Sequence, residues 1–332
     1  MKKNRDFILA VIILSGILAG ACQHPDLLLK QSDAALQEEK PLKKEPSDSV
    51  KTKADPEKTI QKQTKTQSDQ HKQSQTKQEP QILDFVDAFG EAYQVKINPE
   101  IKKHDYKLDA FVHDGDRLSY NGDERYSYRL GIDVSYHNGE IDWEKVKAEG
   151  YEFAFLRIGY RGYGKEGRIC LDKQFYNYIQ NARAAGLDIG VYFFSQAVSE
   201  EEAAQEAAFV LQTLDGIKLQ LPVVYDPESI LDAEARTDHV TGSQFTKNTI
   251  VFCEQIEKAG YQPMIYSNML WEAYQFDLEK LAKYPVWYAD YESLPQTPYA
   301  FDYWQYSNEG MVDGIAGAVD LDIQFIRNQE IR

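Results

Sequence analysis

The segment Leu221-Pro222-Val223-Val224-Tyr225-Asp226-Pro227-Glu228 decides the fold, because it is a short apolar run that ends in two carboxylates. Apolar and β-branched residues bounded by proline and polar residues predict a buried strand. Side chains alternate along a strand, so Asp226 and Glu228 point to one face. Pro227 cannot donate to a ladder, which places the pair where regular pairing ends. Two acids there can divide acid and base roles, although a solvated strand end has the same pattern.

Strand-like and helix-like segments alternate around this run from residue 130 onward. The predicted strands are residues 130–135, 152–159, 188–195, 221–228, 263–268, 285–291, 302–307 and 318–325. The predicted helices are residues 143–149, 172–185, 199–214 and 244–259, with Ser199 and Glu202 forming a capping box. Helix becomes scarce after residue 268. Eight strands, five of them with helical crossovers, predict an α/β fold closed into a TIM-like barrel.

Carboxylates and aromatic rings lie at the predicted strand ends. Asp133, Asp226, Glu228 and Asp290 come late in their strands, so we expect these four acids to converge at one end of the barrel. Asp320 comes early in its segment. Rings near the strand ends include Phe194, Tyr225, Tyr266, Trp287, Tyr291 and Trp304. A cleft lined by acids and flat rings suits a polysaccharide hydrolase, although many of these rings can equally belong to the core.

The N-terminal residues predict an exported protein. Lys2, Lys3 and Arg5 precede an apolar stretch at residues 7–19 that is short for a membrane span, which indicates a signal peptide over residues 1–21. The sequence Ala19-Gly20-Ala21-Cys22 resembles a bacterial lipobox, so we expect lipidated Cys22 to anchor the protein to the membrane. Ordinary signal cleavage is the alternative. The expected location is the outer face of a bacterial cell membrane.

Residues 22–80 predict a disordered polar tether. They contain no Phe, Trp, Tyr or Gly, and their 11 Lys nearly balance 10 acidic residues. Such a composition cannot bury enough apolar surface to offset chain entropy. Residues 81–129 resemble a folded accessory segment packed on the barrel, with a small separate wall-binding module as the alternative. We expect a lipid-anchored monomer that reaches into the cell wall.

Charge and cysteine content exclude several function classes. Residues 81–332 carry 23 basic and 42 acidic residues, a net charge of −19, which argues against nucleic acid as a partner. Cys170 and Cys253 lie on different predicted elements, and we expect two free thiols, with a disulfide as the alternative. Neither cysteine has a histidine in metal-ligand spacing, so no metal or cofactor is expected.

Several short motifs, taken together, resemble glycoside hydrolase family 25, the Chalaropsis-type lysozymes. They follow the family's order over about 200 residues and are specific as a set. They are Gly131-Ile132-Asp133-Val134-Ser135, Gly139-x-Ile141-Asp142-Trp143, Gly190-Val191-Tyr192-x-Phe194, Asp226-x-Glu228, Trp287-x-Ala289-x-Tyr291, Trp304-Gln305-Tyr306 and Val319-Asp320. One residue departs from the pattern: Phe193 stands where many members carry His.

The resemblance implies a fold, a site and an activity. The fold is an irregular (β/α)5(β)3 barrel, here over residues 130–332. Glu228 is implied as general acid, Asp226 as support for the reaction centre, and Asp133 and Asp320 as the remaining carboxylates, so the strand of Asp320 must begin earlier or be very short. Tyr192 joins the expected substrate contacts.

The implied activity is cleavage of the β-1,4 bond between N-acetylmuramic acid and N-acetylglucosamine, for which we expect the substrate's acetamido group to serve as nucleophile. Retaining and inverting outcomes both stay open. The alternatives are a non-catalytic glycan-binding protein on the same fold and a hydrolase of another acetamido glycan, such as chitin.

Overall fold

The computed structural model describes residues 80–231 and 234–328. The signal peptide expected at residues 1–21, the lipidation expected at Cys22 and nearly all of the expected tether lie outside the described residues. Within the described ranges, no helix is long and apolar enough to span a membrane.

Thirteen strands are found in the described residues. They are β1 Ile82–Val86, β2 Ala92–Lys96, β3 Phe111–Asp114, β4 Arg117–Tyr120, β5 Tyr126–Val134, β6 Phe153–Arg161, β7 Ile169–Leu171, β8 Asp188–Ser195, β9 Val223–Pro227, β10 Pro263–Asn268, β11 Val286–Ala289, β12 Tyr303–Gly310 and β13 Val319–Arg327.

Within the same described ranges, six α-helices connect these strands. They are α1 Trp143–Ala148, α2 Phe175–Ala184, α3 Glu200–Leu214, α4 Gly242–Lys258, α5 Met269–Tyr274 and α6 Leu278–Leu281. The predicted cap of α3 is present, since the Ser199 hydroxyl accepts from the Glu202 amide at 3.3 Å. The Glu202 carboxylate reaches back to the Val198 amide, one residue before the cap, at 2.9 Å.

Eight strands close into a barrel in the order β5, β6, β8, β9, β10, β11, β12 and β13, with β13 pairing back to β5. The neighbouring pairs from β5 to β12 are parallel, whereas β13 is antiparallel to both of its neighbours. The short strand β7 adds a hairpin to β6 outside the closed circuit. This architecture confirms the predicted α/β barrel.

The direction of β13 explains why Asp320 comes early in its strand. Because β13 is antiparallel, its first residues lie where the parallel strands end, and Asp320 pairs with Asp133. We call this end of the barrel the mouth. The expectation that the strand of Asp320 begins earlier or is very short is wrong, because the strand has nine residues and starts at Val319.

Side-chain alternation fills the barrel interior with aromatic rings. A cluster inside the barrel contains Phe153 and Phe155 from β6, and the outward residues of the same strands belong to a larger core. The rings fit because their neighbours on β5 and β8 are Gly131 and Gly190. A Cβ at Gly131 would lie 2.2 Å from the Phe153 ring, and one at Gly190 would lie 2.4 Å from the Phe155 ring. These two glycines therefore permit the close approach of backbone and ring.

Within residues 81–129, strands β1–β2 and β3–β4 form two hairpins that pack on the barrel, and residues 126–129 already belong to the barrel strand β5. Tyr106 donates to the carbonyl of Phe301 at 2.6 Å, and the Phe111 ring meets Trp304 edge to face at 5.4 Å. The backbone of Val86 makes two hydrogen bonds with the side chain of Gln296, at 2.8 and 2.9 Å. Gln296 belongs to the loop after β11, so this segment supports a loop at the mouth.

The cysteines differ from the sequence-based expectation. Cys253 is a buried free thiol in α4, whereas Cys170 is not free. The prediction of two free thiols therefore holds for Cys253 alone, and the two residues do not pair with each other.

Candidate active site

Five carboxyl groups converge at the mouth. Asp133 ends β5, Asp226 and Glu228 leave β9, and Asp320 and Asp322 open β13. Strand alternation turns all five toward the barrel axis, since Val224 on the same face as Asp226 belongs to the interior cluster. The mouth therefore brings together five carboxyl groups, which either carry negative charge or hold protons.

The five acids differ in their access to solvent. Glu228 and Asp320 are half-buried, whereas Asp133 and Asp226 are each 4% exposed and Asp322 is fully buried. Glu228 and Asp320 are thus the acids that an arriving ligand meets first.

A hydrogen-bonded chain of side chains fixes the position of Asp133. The Gln305 amide donates to Asp133 Oδ2 at 2.7 Å. The Gln305 carbonyl oxygen accepts from the hydroxyls of Tyr266, at 2.8 Å, and Tyr291, at 3.0 Å. These three hydrogen bonds hold Gln305 and Asp133 in place, so this part of the mouth is preorganised.

Burial raises the pKa of every acid at the mouth. It raises the pKa of Glu228 to about 7, against the opposing effects of the nearby Tyr266 hydroxyl and the positive charge of Arg157. It also raises the pKa of Asp133 to about 7, opposed by the hydrogen bond from Gln305. Burial likewise holds the pKa values of Asp226 and Asp320 well above their usual range. A carboxyl group that keeps its proton near neutral pH is equipped to act as a general acid.

Asp322 belongs to this cluster although the sequence analysis did not select it. Its Oδ1 accepts from the Trp287 indole at 2.8 Å, while no residue in the described part of the chain donates a hydrogen bond to its buried Oδ2. Burial, followed by the charge of Asp133, raises its pKa well above the usual range. The D-x-D spacing of Asp320 and Asp322 could have indicated its position, because side chains two residues apart on a strand lie on the same face.

Asp322→Asn is expected to increase the free energy of unfolding at pH 7.5 by about 1–3 kcal/mol. The raised pKa of Asp322 means that the folded state holds a proton which the unfolded chain releases above a pH of about 4. Stability is therefore lost as pH rises from there toward the folded pKa. Asparagine does not ionise and still accepts from Trp287.

Chemical denaturation of the variant at pH 4.5 and pH 7.5 would measure this effect. The gain should be larger at pH 7.5. Asp313→Asn, an exposed control, should show no such gain. A variant destabilised equally at both pH values would contradict the interpretation.

Arg157 is a second residue near the acids that the sequence pattern did not lead us to select. It is 5% exposed on β6, its Nε donates to Asp172 Oδ2 at 2.9 Å, and its guanidinium lies 5.1 and 5.2 Å from the ring centroids of Tyr136 and Tyr160. Its charge lowers the pKa values of Asp226 and Glu228 against the effect of burial. An arginine inside an otherwise apolar strand, Phe153–Arg161, was the signal that could have identified it.

The expected sugar-contacting rings divide into two groups. Tyr192, Tyr266 and Trp287 belong to the interior cluster, and Phe194 and Tyr291 are partly exposed farther along the same strand faces. Phe194 pairs with Asp226 in the ladder, and Tyr291 reaches Gln305. Trp287 is 1% exposed and stacks on Phe155, so it forms the floor beneath the carboxylates.

Tyr225 and Trp304 correct the expectation, because both side chains lie on the outer face of the barrel wall. Tyr225 packs on Phe252 of α4 and accepts from Ser195 at 2.8 Å. Trp304 packs on Phe111 and donates to the backbone carbonyl of Asp290 at 2.7 Å. Neither side chain lines the mouth, since each is one residue out of phase with the inward face.

Asp290 and Phe193 also point outward. The Asp290 carboxylate accepts from the Tyr288 hydroxyl at 2.7 Å and from the backbone N–H of Gln296 at 2.9 Å. The prediction that Asp290 joins the carboxylates is therefore wrong; it organises the loop after β11. Phe193 is fully buried against Phe209 of α3. Its departure from the family pattern consequently leaves the mouth unchanged.

Comparison with known proteins agrees with this geometry. The family model described as glycosyl hydrolases family 25 matches residues 132–315. The uncharacterized protein YegX of Escherichia coli K12 is 33% identical over 208 residues, which cover 59% of this chain and 70% of that protein. The autolytic lysozyme of Clostridium acetobutylicum is 27% identical over 194 residues, which cover 58% of this chain and 54% of the lysozyme.

A solved structure of the modular autolysin LytC from Streptococcus pneumoniae has a TM-score of 0.55 at 23% identity, covering 73% of this chain and 56% of the autolysin. The chain thus spans about half the length of the curated lysozyme and of this autolysin. The structural likeness shows the fold, and the family model covers more than half of the chain. The chain therefore belongs to glycosyl hydrolases family 25.

Proposed function

We propose that this chain is a peptidoglycan hydrolase that cleaves the β-1,4 bond between N-acetylmuramic acid and N-acetylglucosamine. The observation that carries the proposal is the half-buried Glu228, whose pKa is raised by burial to about 7, beside Asp226 in a mouth of inward-facing acids. Such an acid can protonate the leaving oxygen of a glycosidic bond. The names of the relatives support the substrate class: a lysozyme, an autolysin, and that autolysin in complex with a synthetic peptidoglycan ligand.

Glu228 acts as the general acid in this proposal. Asp226 lies one layer deeper on the same face and orients and stabilises the substrate's 2-acetamido group as it attacks the anomeric carbon. Burial holds the pKa of Asp226 well above its usual range, and the charge of Arg157 opposes this rise, so on this proposal Asp226 ionises as positive charge develops on the sugar. Asp133 and Asp320 complete the carboxylate set around the sugar ring, with Asp133 held in place by Gln305.

The sugar contacts are assigned to the rings that reach the mouth. Phe194 and Tyr291 offer partly exposed flat faces beside the acids, and Tyr192, Tyr266 and Trp287 lie deeper, with Trp287 as the floor. Aromatic faces suit the apolar faces of pyranose rings. On this proposal the enzyme works as a monomer, tethered to the outer face of the membrane by lipidated Cys22 and acting within the cell wall.

Mass spectrometry of fragments released from purified peptidoglycan by the full chain tests the proposed bond. We expect muropeptides with N-acetylmuramic acid at the reducing end. Release from chitin but not from peptidoglycan would favour a hydrolase of another acetamido glycan. Binding to the wall without any new reducing ends would favour a non-catalytic glycan-binding protein.

The rate of hydrolysis is expected to fall as pH rises through about 7. The general acid must carry its proton in the free enzyme, and the pKa of Glu228 is about 7. The value of kcat/KM should therefore decrease tenfold per pH unit well above that pKa. Measurement on a soluble peptidoglycan oligosaccharide from pH 4 to pH 9 would check this.

Circular dichroism at each pH provides the control for folding. An alkaline limb centred below pH 5.5 in a folded protein would contradict the assignment of Glu228.

A further inference from the structure

The side chain of Gln196 makes two hydrogen bonds that link β8 to the segment leaving β9. Gln196 follows directly after β8 and is 1% exposed. Its Nε2 donates to the backbone carbonyl of Glu228 at 2.7 Å. Its Oε1 accepts from the Thr237 hydroxyl at 2.9 Å. One buried side chain therefore fastens both the first and the last residue of the segment from Glu228 to Thr237.

The backbone of Gln196 is held from the other side. Its carbonyl oxygen accepts from Arg236 Nη1 at 3.0 Å. The same guanidinium forms two hydrogen bonds with the Glu202 carboxylate in the first turn of α3, at 2.7 and 2.6 Å. A paired arginine and carboxylate of this kind is geometrically specific. The support for Gln196 thus extends from β8 into α3.

The ladder between β8 and β9 stops just before the residue that the mechanism needs. Its last registered pair is Ser195 with Pro227, so Glu228 lies one residue beyond the paired strand. Beyond the end of this pairing, the side-chain amide of Gln196 donates a hydrogen bond to the backbone carbonyl of Glu228. A carbonyl fixed in this way restricts the backbone from which the Glu228 carboxyl projects.

We infer that Gln196 is a positioning residue that holds the main chain of Glu228 in the orientation required for proton donation at the mouth. This inference rests on the proposed role of Glu228 as the general acid. Misplacement of a reacting group by about 1 Å can lower the rate about 100-fold. A residue that touches no substrate can therefore influence the chemical step.

The first test measures the link without reference to activity. Gln196→Leu in the full chain should speed amide hydrogen exchange about tenfold in peptides that cover residues 228–237, because the buried hydrogen bond is lost. Cys253→Ala is the matched control, a truncation at a buried site in α4. It should leave exchange in these peptides unchanged. Unaltered exchange in Gln196→Leu would overturn the inference.

The second test measures the consequence for catalysis. Gln196→Leu should lower kcat about 10- to 100-fold, with KM within about threefold of the wild type. Thr237→Val keeps the bond to Glu228 and should change kcat less than about fivefold. Gln196→Glu should recover activity at low pH, where a protonated carboxyl donates to the Glu228 carbonyl, and lose it as pH rises.

The outcomes separate this inference from the proposed function. Faster exchange with unchanged kcat would overturn the positioning role. A wild-type chain that releases no muropeptides would refute the proposed function and, with it, the catalytic part of the inference. The exchange experiment would then still decide whether Gln196 holds the segment.

Discussion

Glu228→Gln is expected to lower kcat for peptidoglycan about 10²- to 10⁴-fold, the range that general acid–base catalysis contributes. Glutamine preserves the size of the side chain, but it has no acidic proton to give to the leaving oxygen. Stability should change little at pH 7, since Glu228 is half-buried and the substitution removes one acid from a crowded cluster. Reducing-end release and thermal unfolding measure the two quantities.

Glu292→Gln is the matched control for this substitution. Glu292 is an exposed glutamate on the loop after β11, beside the mouth. The Glu292→Gln variant should hydrolyse peptidoglycan at the wild-type rate. Hydrolysis by Glu228→Gln at the wild-type rate would exclude Glu228 as the general acid and direct attention to Asp320, the other half-buried acid.

Asp226→Asn is expected to lower kcat about 10²- to 10³-fold, because its charge is needed only as positive charge develops on the sugar. Asp226 Oδ1 is buried without a hydrogen-bond partner among the described residues, so it is available to the acetamido group. Asparagine keeps the shape and loses the negative charge.

Nuclear magnetic resonance of the first product distinguishes the possible roles of Asp226. Participation of the acetamido group retains configuration, so the wild type should release the β anomer first. Initial release of the α anomer would rule out this role and favour water activation by a base. Asp302→Asn is the control, since Asp302 precedes β12 at the end of the barrel opposite the mouth, and it should leave kcat unchanged.

The pattern of the sequence was sufficient for the barrel and for much of its site. Period-two and helical apolar spacing predicted all eight barrel strands, and β8 and β10 have the predicted bounds. The D-x-E pair at the end of β9 follows from alternation alone. These features are local, because they depend on neighbouring residues in one element.

Other parts of the site depend on which face of a strand a residue occupies once the barrel has closed. Tyr225 flanks Asp226 in sequence yet points to the opposite side of the wall, and Asp290 ends a strand but faces outward. Adjacency in sequence was the wrong criterion in both cases, because neighbouring residues on a strand lie on opposite faces. To place Asp322 at the mouth, one must know both which strand face its side chain occupies and that β13 runs antiparallel to its neighbours.

The sequence by itself determined the fold class, the order of the elements and the pair Asp226 and Glu228, since hydrophobic period and strand parity are written into local residue order. Only the tertiary structure decided that β13 runs antiparallel, which brings Asp320 opposite Asp133. It also decided that the charge of Arg157 acts on Glu228 and that Gln196 donates to the Glu228 backbone carbonyl. The physical reason is that burial, pKa values and hydrogen-bond partners arise from residues far apart in the chain, and barrel closure alone brings them together.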